Sequence, residues 1–99
     1  MARKKLDGDA VKQWLADHAG WKLIEKGKSI RKQFKFGSFR DSIVFVNRVA
    51  TLADQADHHP DLDIRFDKVM LTLSTHSAGG LTQKDLDLAR SVDHATSAR

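Results

Sequence analysis

The segment LDIRFDKVMLTLS, residues 62–74, carries the clearest structural pattern in the chain. Apolar and polar side chains alternate along most of it, which is the period-two pattern of half-buried β-strands. It predicts two strands, one ending near Phe66 and one covering 69–73, joined by a turn at Asp67-Lys68. Such a hairpin is antiparallel and leaves one apolar face that other elements must cover.

The same alternation predicts a second hairpin upstream. Residues 21–25 and 29–36 are expected to form two strands, with Gly27 in the turn between them. Lys32 is the one charged residue that interrupts the apolar side of the longer strand. The segment at 62–74 therefore supplies the third and fourth strands of the chain.

Three helices are predicted from apolar residues spaced three and four positions apart. The third begins at a capping-box pattern with Asp in place of Glu. Their expected bounds are Asp9 as N-cap to Gly20, residues 39–56 after the cap Ser38, and Thr82 to about His94. The order is αββαββα, so we expect an α+β fold in which three helices pack on one face of a four-stranded antiparallel sheet.

Length and composition limit the class of protein. The chain has 99 residues, enough for one core, so we expect a single domain over 1–99, with 1–6 and 96–99 flexible. The absence of cysteine excludes a disulfide scaffold, a thiolate metal site and cysteine catalysis. No apolar run approaches the roughly 18 residues of a membrane span, and no apolar stretch follows the basic start. We therefore expect a cytoplasmic protein without a membrane partner.

The net charge of +4 is concentrated in one segment. Residues 22–40 contain lysines and arginines with Glu25 as their only acidic neighbour. A basic strand can hold phosphates or acidic ligands, but it can also be a solvated strand edge that resists aggregation. We favour the solvated edge and expect no nucleic-acid partner, because no regular aromatic–basic interleaving or nucleic-acid motif accompanies the charge.

Histidine is the other unusual feature, with five copies in the chain. His58 and His59 lie where the long helix should end, and His76 lies at the end of the fourth strand. In a hairpin the start of the third strand and the end of the fourth are neighbours, so these three side chains are expected at one end of the molecule. His18 and His94 are expected near helix C-termini, where a partly cationic ring is favourable.

Three interpretations of the histidine cluster follow from the residues. Imidazole is a common metal ligand, but adjacent histidines point apart and no metal-binding spacing is present. Imidazole also titrates at about pH 6.5, so one ring can donate a proton while another accepts one, with Asp57 or Asp54 orienting a ring. The third interpretation is that these are helix-cap and loop histidines without a role. No nucleophilic triad or phosphate-binding loop is present.

Several motifs together resemble the pterin-4a-carbinolamine dehydratase family. They are Asp54-x-x-x-His58-His59-Pro60, the aromatic Phe66, Leu73-Ser74-Thr75-His76, Gly80-Leu81-Thr82 followed by Asp85, and upstream Gly20-Trp21, Phe34-x-Phe36 and Phe45-x-x-Arg48-Val49-Ala50. The resemblance covers about residues 10–95. The family has the αββαββα order that the periodicity predicts independently.

The resemblance implies a hydro-lyase that dehydrates 4a-hydroxytetrahydrobiopterin to quinonoid dihydrobiopterin without a metal or redox cofactor. It implies that His58 and His76 are the acid–base pair and that His59 mainly positions the pterin, with some acid–base help. The substrate-binding positions that it implies are Trp21, Asp57, His58, His59, Ser74, Thr75, His76 and Asp85.

The same resemblance implies partners. We expect a pterin substrate, a homodimer or homotetramer, and a functional link to an aromatic amino-acid hydroxylase whose tetrahydrobiopterin is recycled. The alternative is a non-catalytic module on the same fold that binds proteins, assists assembly or acts as a transcriptional cofactor. Loss of the histidines would favour that alternative, and all three are present.

Overall fold

The structure is a computed structural model that describes residues 5–97. The predicted αββαββα order is confirmed, and two short 3₁₀ turns are added at Glu25–Gly27 and His76–Ala78. The elements are α1 Gly8–Asp17, β1 Lys22–Ile24, β2 Ser29–Lys35, α2 Phe39–Ala56, β3 Asp61–Arg65, β4 Lys68–Leu73 and α3 Gln83–Ser97. Within the described range, no helix has the length and apolar character needed to cross a membrane.

The four strands form one antiparallel sheet in the order β1-β2-β4-β3. The two predicted hairpins are joined through pairing of β2 with β4, which places Ile30 opposite Leu73 and Phe34 opposite Val69. The apolar side chains of these central strands are buried under the helices, and Ile30, Val69 and Leu73 are completely inaccessible. The core therefore lies between the helices and the middle of the sheet, as the one-sided apolar pattern predicts.

The third strand departs from the sequence-based expectation. Its apolar residues stay exposed, with Leu62 at 37%, Ile64 at 38% and Phe66 at 69%. The reason is that β3 is an edge strand, and an alternating pattern carries no information about which strand lies at an edge. The predicted turn at Asp67-Lys68 is also wrong by one residue, because Phe66 and Asp67 form it and Phe66 adopts a left-handed φ of 55°.

The N-terminal caps observed for the helices agree with the prediction at α2 and differ from it at α1. Asp9 was expected to cap α1, but Asp7 does so, because its Oδ1 accepts a hydrogen bond of 2.8 Å from the backbone N–H of Ala10. The Ser38 cap of α2 is confirmed, since its Oγ accepts from the N–H of Asp41 at 3.1 Å. Helix α3 begins at Gln83 as expected and extends through Ser97, beyond its predicted end.

Part of each terminal segment expected to be flexible belongs to the described fold. The backbone N–H of Leu6 donates to the carbonyl of Leu81 at 2.8 Å, and Leu6 packs against the core. At the other end, residues 96–97 continue α3. Residues 1–4 and 98–99 of these segments lie outside the described residues.

Lys32, the charged residue that interrupts the apolar pattern of β2, connects that strand to α3 through an ion pair. Its Nζ donates to Oδ1 of Asp93 at 2.7 Å and to the carbonyl of Ala19 at 3.2 Å, and it lies 5.0 Å from the ring centre of Phe34. Oδ2 of the same carboxylate accepts the indole N–H of Trp21 at 2.8 Å. A charged residue is tolerated on the helix-facing side because its ammonium group is paired and stacked there.

Candidate active site

The end of α2 separates two adjacent histidines. Asp57 adopts a left-handed backbone conformation (φ 50°) and caps the helix, with its N–H donating to the carbonyls of Ala53 and Asp54. The N–H of His58 also donates to the carbonyl of Ala53, at 3.1 Å. This turn sends the side chain of His58 into the protein, whereas His59 remains on the surface.

His58 is paired with a buried carboxylate that enters from α3. Its Nε2 lies 2.5 Å from Oδ1 of Asp85, and the two side chains are 7% and 0% exposed. The other carboxylate oxygen accepts the hydroxyl of Thr75 at 2.7 Å and the backbone N–H of Thr82 at 2.9 Å. A buried carboxylate is costly unless hydrogen bonds compensate for lost water, and these contacts provide that compensation. We call His58, Thr75, Thr82 and Asp85 the Asp85 network.

The Asp85 network joins three separate parts of the chain. Thr75 follows β4 and is held by an isolated antiparallel bridge, in which its N–H donates to the carbonyl of Gly80 at 2.9 Å and the reverse bond measures 3.3 Å. The hydroxyl oxygens of Thr75 and Thr82 lie 2.9 Å apart. Thus the end of α2, the segment after β4 and the first turn of α3 meet at one buried carboxylate.

The second histidine has its own aspartate, but on the surface. Nε2 of His59 lies 2.9 Å from Oδ1 of Asp54, and the side chains are 62% and 77% exposed. The sequence left open whether Asp54 or Asp57 orients a histidine, and in the structure Asp54 makes the contact. Asp57 instead accepts at its backbone carbonyl from Nζ of Lys84, at 3.4 Å.

His76 stands directly beside the Asp85 network. It follows Thr75 in the chain and opens the 3₁₀ turn His76–Ala78, with an exposed side chain. Its backbone is tied down, since its carbonyl accepts from the N–H of Gly79 at 3.0 Å. Ser74, on the other side of Thr75, is half-buried. The described structure therefore links His76 to His58 through the anchored Thr75 and the shared carboxylate.

Other residues singled out by the sequence lie outside this network. Trp21 is buried in the core, where its ring contacts Trp14 and Phe34 and its N–H is donated to Asp93. His18 caps the C-terminus of α1 and stacks on Trp14 with ring centres 4.0 Å apart. Neither of them contacts the Asp85 network through a described hydrogen bond or ring contact.

Comparisons with known proteins address the family of the chain. The family model described as pterin 4 alpha carbinolamine dehydratase matches residues 4–95. The chain belongs to this family. The match covers the whole Asp85 network and all three clustered histidines, so the resemblance noted from the sequence motifs is confirmed.

Relatives of this dehydratase-family chain align over nearly their full lengths. A Roseiflexus sp. strain RS-1 protein, provisionally named pterin-4-alpha-carbinolamine dehydratase, is 50% identical over 93 residues, covering 94% of this chain and 97% of the relative. A Sulfolobus acidocaldarius protein with the same provisional name is 42% identical over 89 residues, covering 90% and 96%. The chain thus spans the same domain as these relatives.

Two solved structures share the fold. A transcriptional coactivator/pterin dehydratase from Brucella melitensis superposes with a TM-score of 0.87 at 30% identity, covering 92% of this chain and 97% of that one. A pterin dehydratase-like protein described as a RuBisCO assembly factor in the alpha-carboxysome gives a TM-score of 0.66 at 26% identity, covering 78% and 89%. The predicted architecture is confirmed by the first of these.

Within this dehydratase-family fold, sequence reasoning missed the part played by Thr82. The sequence Thr82-Gln83-Lys84-Asp85 predicts a helix cap. This prediction is correct, because the Asp85 carboxylate accepts the backbone N–H of Thr82 at the start of α3. The same carboxylate also reaches His58, which is 27 residues away in the chain. A capping aspartate followed by an apolar helix face is a local signal, and it does not reveal a distant partner.

Metal binding was one of the interpretations left open by the histidine count. Across residues 5–97, no group of three or more His, Cys, Asp or Glu side chains is arranged to hold a metal ion. Two of the described histidines, His58 and His59, are paired singly with Asp85 and Asp54. The arrangement offers imidazoles that can exchange protons, each close to a carboxylate or to its anchoring network.

Proposed function

We propose that this protein dehydrates 4a-hydroxytetrahydrobiopterin, a pterin-4a-carbinolamine, to quinonoid dihydrobiopterin and water. Membership of the pterin carbinolamine dehydratase family supports the class of substrate and reaction. The observation that carries the proposal is the Asp85 network, which anchors both His58 and the residue preceding His76 on one buried carboxylate. A reaction made of proton transfers requires an acid and a base, and the network fixes one imidazole and the backbone next to a second.

The reaction needs an acid and a base, and no net oxidation or reduction. The C4a hydroxyl is a poor leaving group until it is protonated, and a ring N–H must lose its proton as the C4a–O bond breaks. We propose that His58 and His76 carry out these transfers and that His59, oriented by Asp54, positions the pterin with acid–base help. General acid–base catalysis contributes about 10²–10⁴-fold for each group.

The remaining predicted substrate-binding residues fall into two groups, according to whether their side chains are accessible or buried. Asp57 is exposed and Ser74 half-buried, so we propose that both line the pterin site. Thr75 and Asp85 are buried and hydrogen-bonded to one another, so we propose that they position His58 and do not contact the pterin. The predicted contact between Trp21 and the pterin rests on the resemblance alone. Because the indole N–H of Trp21 is donated to Asp93, we propose no direct pterin contact for this residue.

The test is a stopped-flow dehydration assay with synthetic 4a-hydroxytetrahydropterin. We expect His58→Ala and His76→Ala each to lower kcat by about 10²–10⁴-fold, and His59→Ala to cause a smaller loss or mainly a higher KM. His18→Ala is the matched control, because His18 caps α1 and lies outside the cluster. A wild-type rate equal to the uncatalysed rate would refute the proposed activity.

A second candidate is a non-catalytic binding or assembly module. It is favoured by one observation, that a structural neighbour at 26% identity is described as a RuBisCO assembly factor. The same assay separates the two candidates, because a folded wild-type protein without dehydratase activity would favour the module. The three retained histidines favour the enzyme.

We also propose a homodimer or homotetramer that works in the cytoplasm and recycles pterin for an aromatic amino-acid hydroxylase. The exposed edge strand β3 offers one contact between copies. Antiparallel pairing of two β3 strands centred on Asp63 places Asp61 opposite Arg65, and Leu62 opposite Ile64. Light scattering measures the assembly, and Leu62→Lys is expected to lower its mass. Nucleic acids and membranes are not among the proposed partners.

A further inference from the structure

Asp85 makes hydrogen-bond contacts through both carboxylate oxygens while completely buried. Oδ2 receives the Thr75 hydroxyl and the Thr82 backbone N–H, and Oδ1 faces Nε2 of His58. Donors that converge on a carboxylate stabilise it as an acceptor, and such charge-assisted bonds are the strong ones. The proton between Asp85 and His58 therefore belongs to the imidazole, on Nε2.

The direction of donation within the Asp85 network is fixed by counting hydrogens. A threonine hydroxyl has one hydrogen, and that of Thr75 points to Asp85 at 2.7 Å. Its oxygen must then accept from the hydroxyl of Thr82, which lies 2.9 Å away. Donation therefore runs from Thr82 to Thr75 to Asp85, and from His58 to Asp85. The backbone bridge between Thr75 and Gly80 holds Thr75 in position.

The second ring nitrogen of His58 points out of the network. Nδ1 makes no hydrogen bond to the described residues, yet residues 5–97 contain no buried side-chain nitrogen or oxygen that lacks a partner. Nδ1 is therefore accessible at the surface although the ring is mostly buried. With the proton on Nε2, this accessible nitrogen presents a lone pair.

From these contacts we infer that Asp85 is a positioning residue that holds His58 as the Nε2–H tautomer and makes Nδ1 the base of the reaction. The inference rests on the proposed function for the identity of the reaction. It also assigns the general acid. If His58 is the base, the acid must be His76, whose ring is exposed and makes no described hydrogen bond. Asp85 and Thr75 act through His58 and do not touch the pterin.

The proton transfers balance with this assignment. Nδ1 of His58 takes the proton of a ring N–H, and the electron pair of that N–H bond forms the new carbon–nitrogen double bond to C4a. The C4a–O bond breaks, and its electron pair leaves with the hydroxyl, which His76 protonates to give water. Afterwards His58 has gained a proton and His76 has lost one, and exchange with solvent restores both. No oxidant or reductant takes part.

The first experiment measures the tautomer in the wild-type protein without any substrate. Two-bond ¹H–¹⁵N correlation spectra show which ring nitrogen of a neutral histidine carries the proton, and loss of the signal in His58→Ala assigns it. We expect the proton of His58 on Nε2. A proton on Nδ1 overturns the inference, whether or not the protein is a dehydratase.

The second experiment uses Asp85→Asn, for which the network dictates a particular result. Thr75 and Thr82 both donate, so the amide oxygen must face them and the amide NH₂ must face His58. Nε2 must then accept, which moves the proton to Nδ1 and removes the outward lone pair. We expect the tautomer to switch and kcat to fall by about 10²–10⁴-fold, with KM changed little.

The control is Asp54→Asn, which alters the other histidine–aspartate pair and should leave the tautomer of His58 as it is. An unchanged tautomer or an unchanged kcat in Asp85→Asn overturns the inference. If that variant does not fold, the wild-type spectrum still decides. A wild type that shows Nε2–H but no dehydration refutes the proposed function, and the role of His58 as base falls with it.

Discussion

Two histidine–aspartate pairs in this protein contain adjacent histidines but differ in burial and in the number of their hydrogen bonds. His58 and Asp85 are buried, and the carboxylate accepts from two further donors. His59 and Asp54 lie in solvent, and the structure describes no further hydrogen bond for either side chain. The comparison teaches that the environment, more than the identity of the partners, determines whether a pair has one fixed geometry.

The physical reason is the difference in solvation. An exposed ion pair exchanges contacts with water for contacts with its partner and gains about 0–1 kcal/mol. Removing one partner of a buried pair leaves an uncompensated polar group and costs about 3–5 kcal/mol. The buried pair can therefore hold a ring in one tautomer, whereas the exposed pair can reorient as a substrate arrives.

The largest expected effect is that of Asp85→Ala on stability. This change leaves His58, Thr75 and the Thr82 N–H without their shared acceptor. We expect the free energy of unfolding, from urea titration, to fall by about 3–5 kcal/mol. The matched change Asp54→Ala should lower it by no more than about 1 kcal/mol. Equal losses in the two variants would remove the distinction between the pairs.

The next effect is that of Thr75→Val, which keeps the shape of the side chain and removes its hydroxyl. Asp85 loses one donor and the Thr82 hydroxyl loses its acceptor, so we expect a loss of about 1–3 kcal/mol in unfolding free energy. Thr51→Val is the control, because that exposed hydroxyl only donates to the carbonyl of Asn47 on its own helix. A Thr75→Val variant as stable as the control would mean that the network does not act as a unit.

The smallest expected effect is the salt dependence of the exposed pair. A double-mutant cycle on His59 and Asp54 should give a coupling of at most about 1 kcal/mol. Raising NaCl from about 0.05 M to about 1 M should reduce it towards zero, because the Debye length shrinks to about 3 Å. The corresponding cycle on His58 and Asp85 should change little. A salt-insensitive His59–Asp54 coupling would contradict the comparison.

Much of the fold could be predicted because it is encoded over short distances. Alternation in 62–74 predicts the second hairpin, and the hairpin in turn predicts that His76 comes near His58 and His59. Two errors are local, the turn at 66–67 and the Asp7 cap, and the larger one depends on distant packing. Leu62 and Ile64 look like core residues from their spacing, but their strand lies at the edge of the sheet.

Local pattern alone was sufficient for the element order, the Ser38 cap and the motifs of the family, whereas the choice of three histidines out of five stays a prediction. Burial and long-range partners required the tertiary structure. Only there does the capping aspartate of α3 meet His58, and only there do two adjacent histidines separate into a buried ring and an exposed one. The reason is that periodicity reflects neighbours along the chain, whereas the solvation of a side chain depends on every element packed around it.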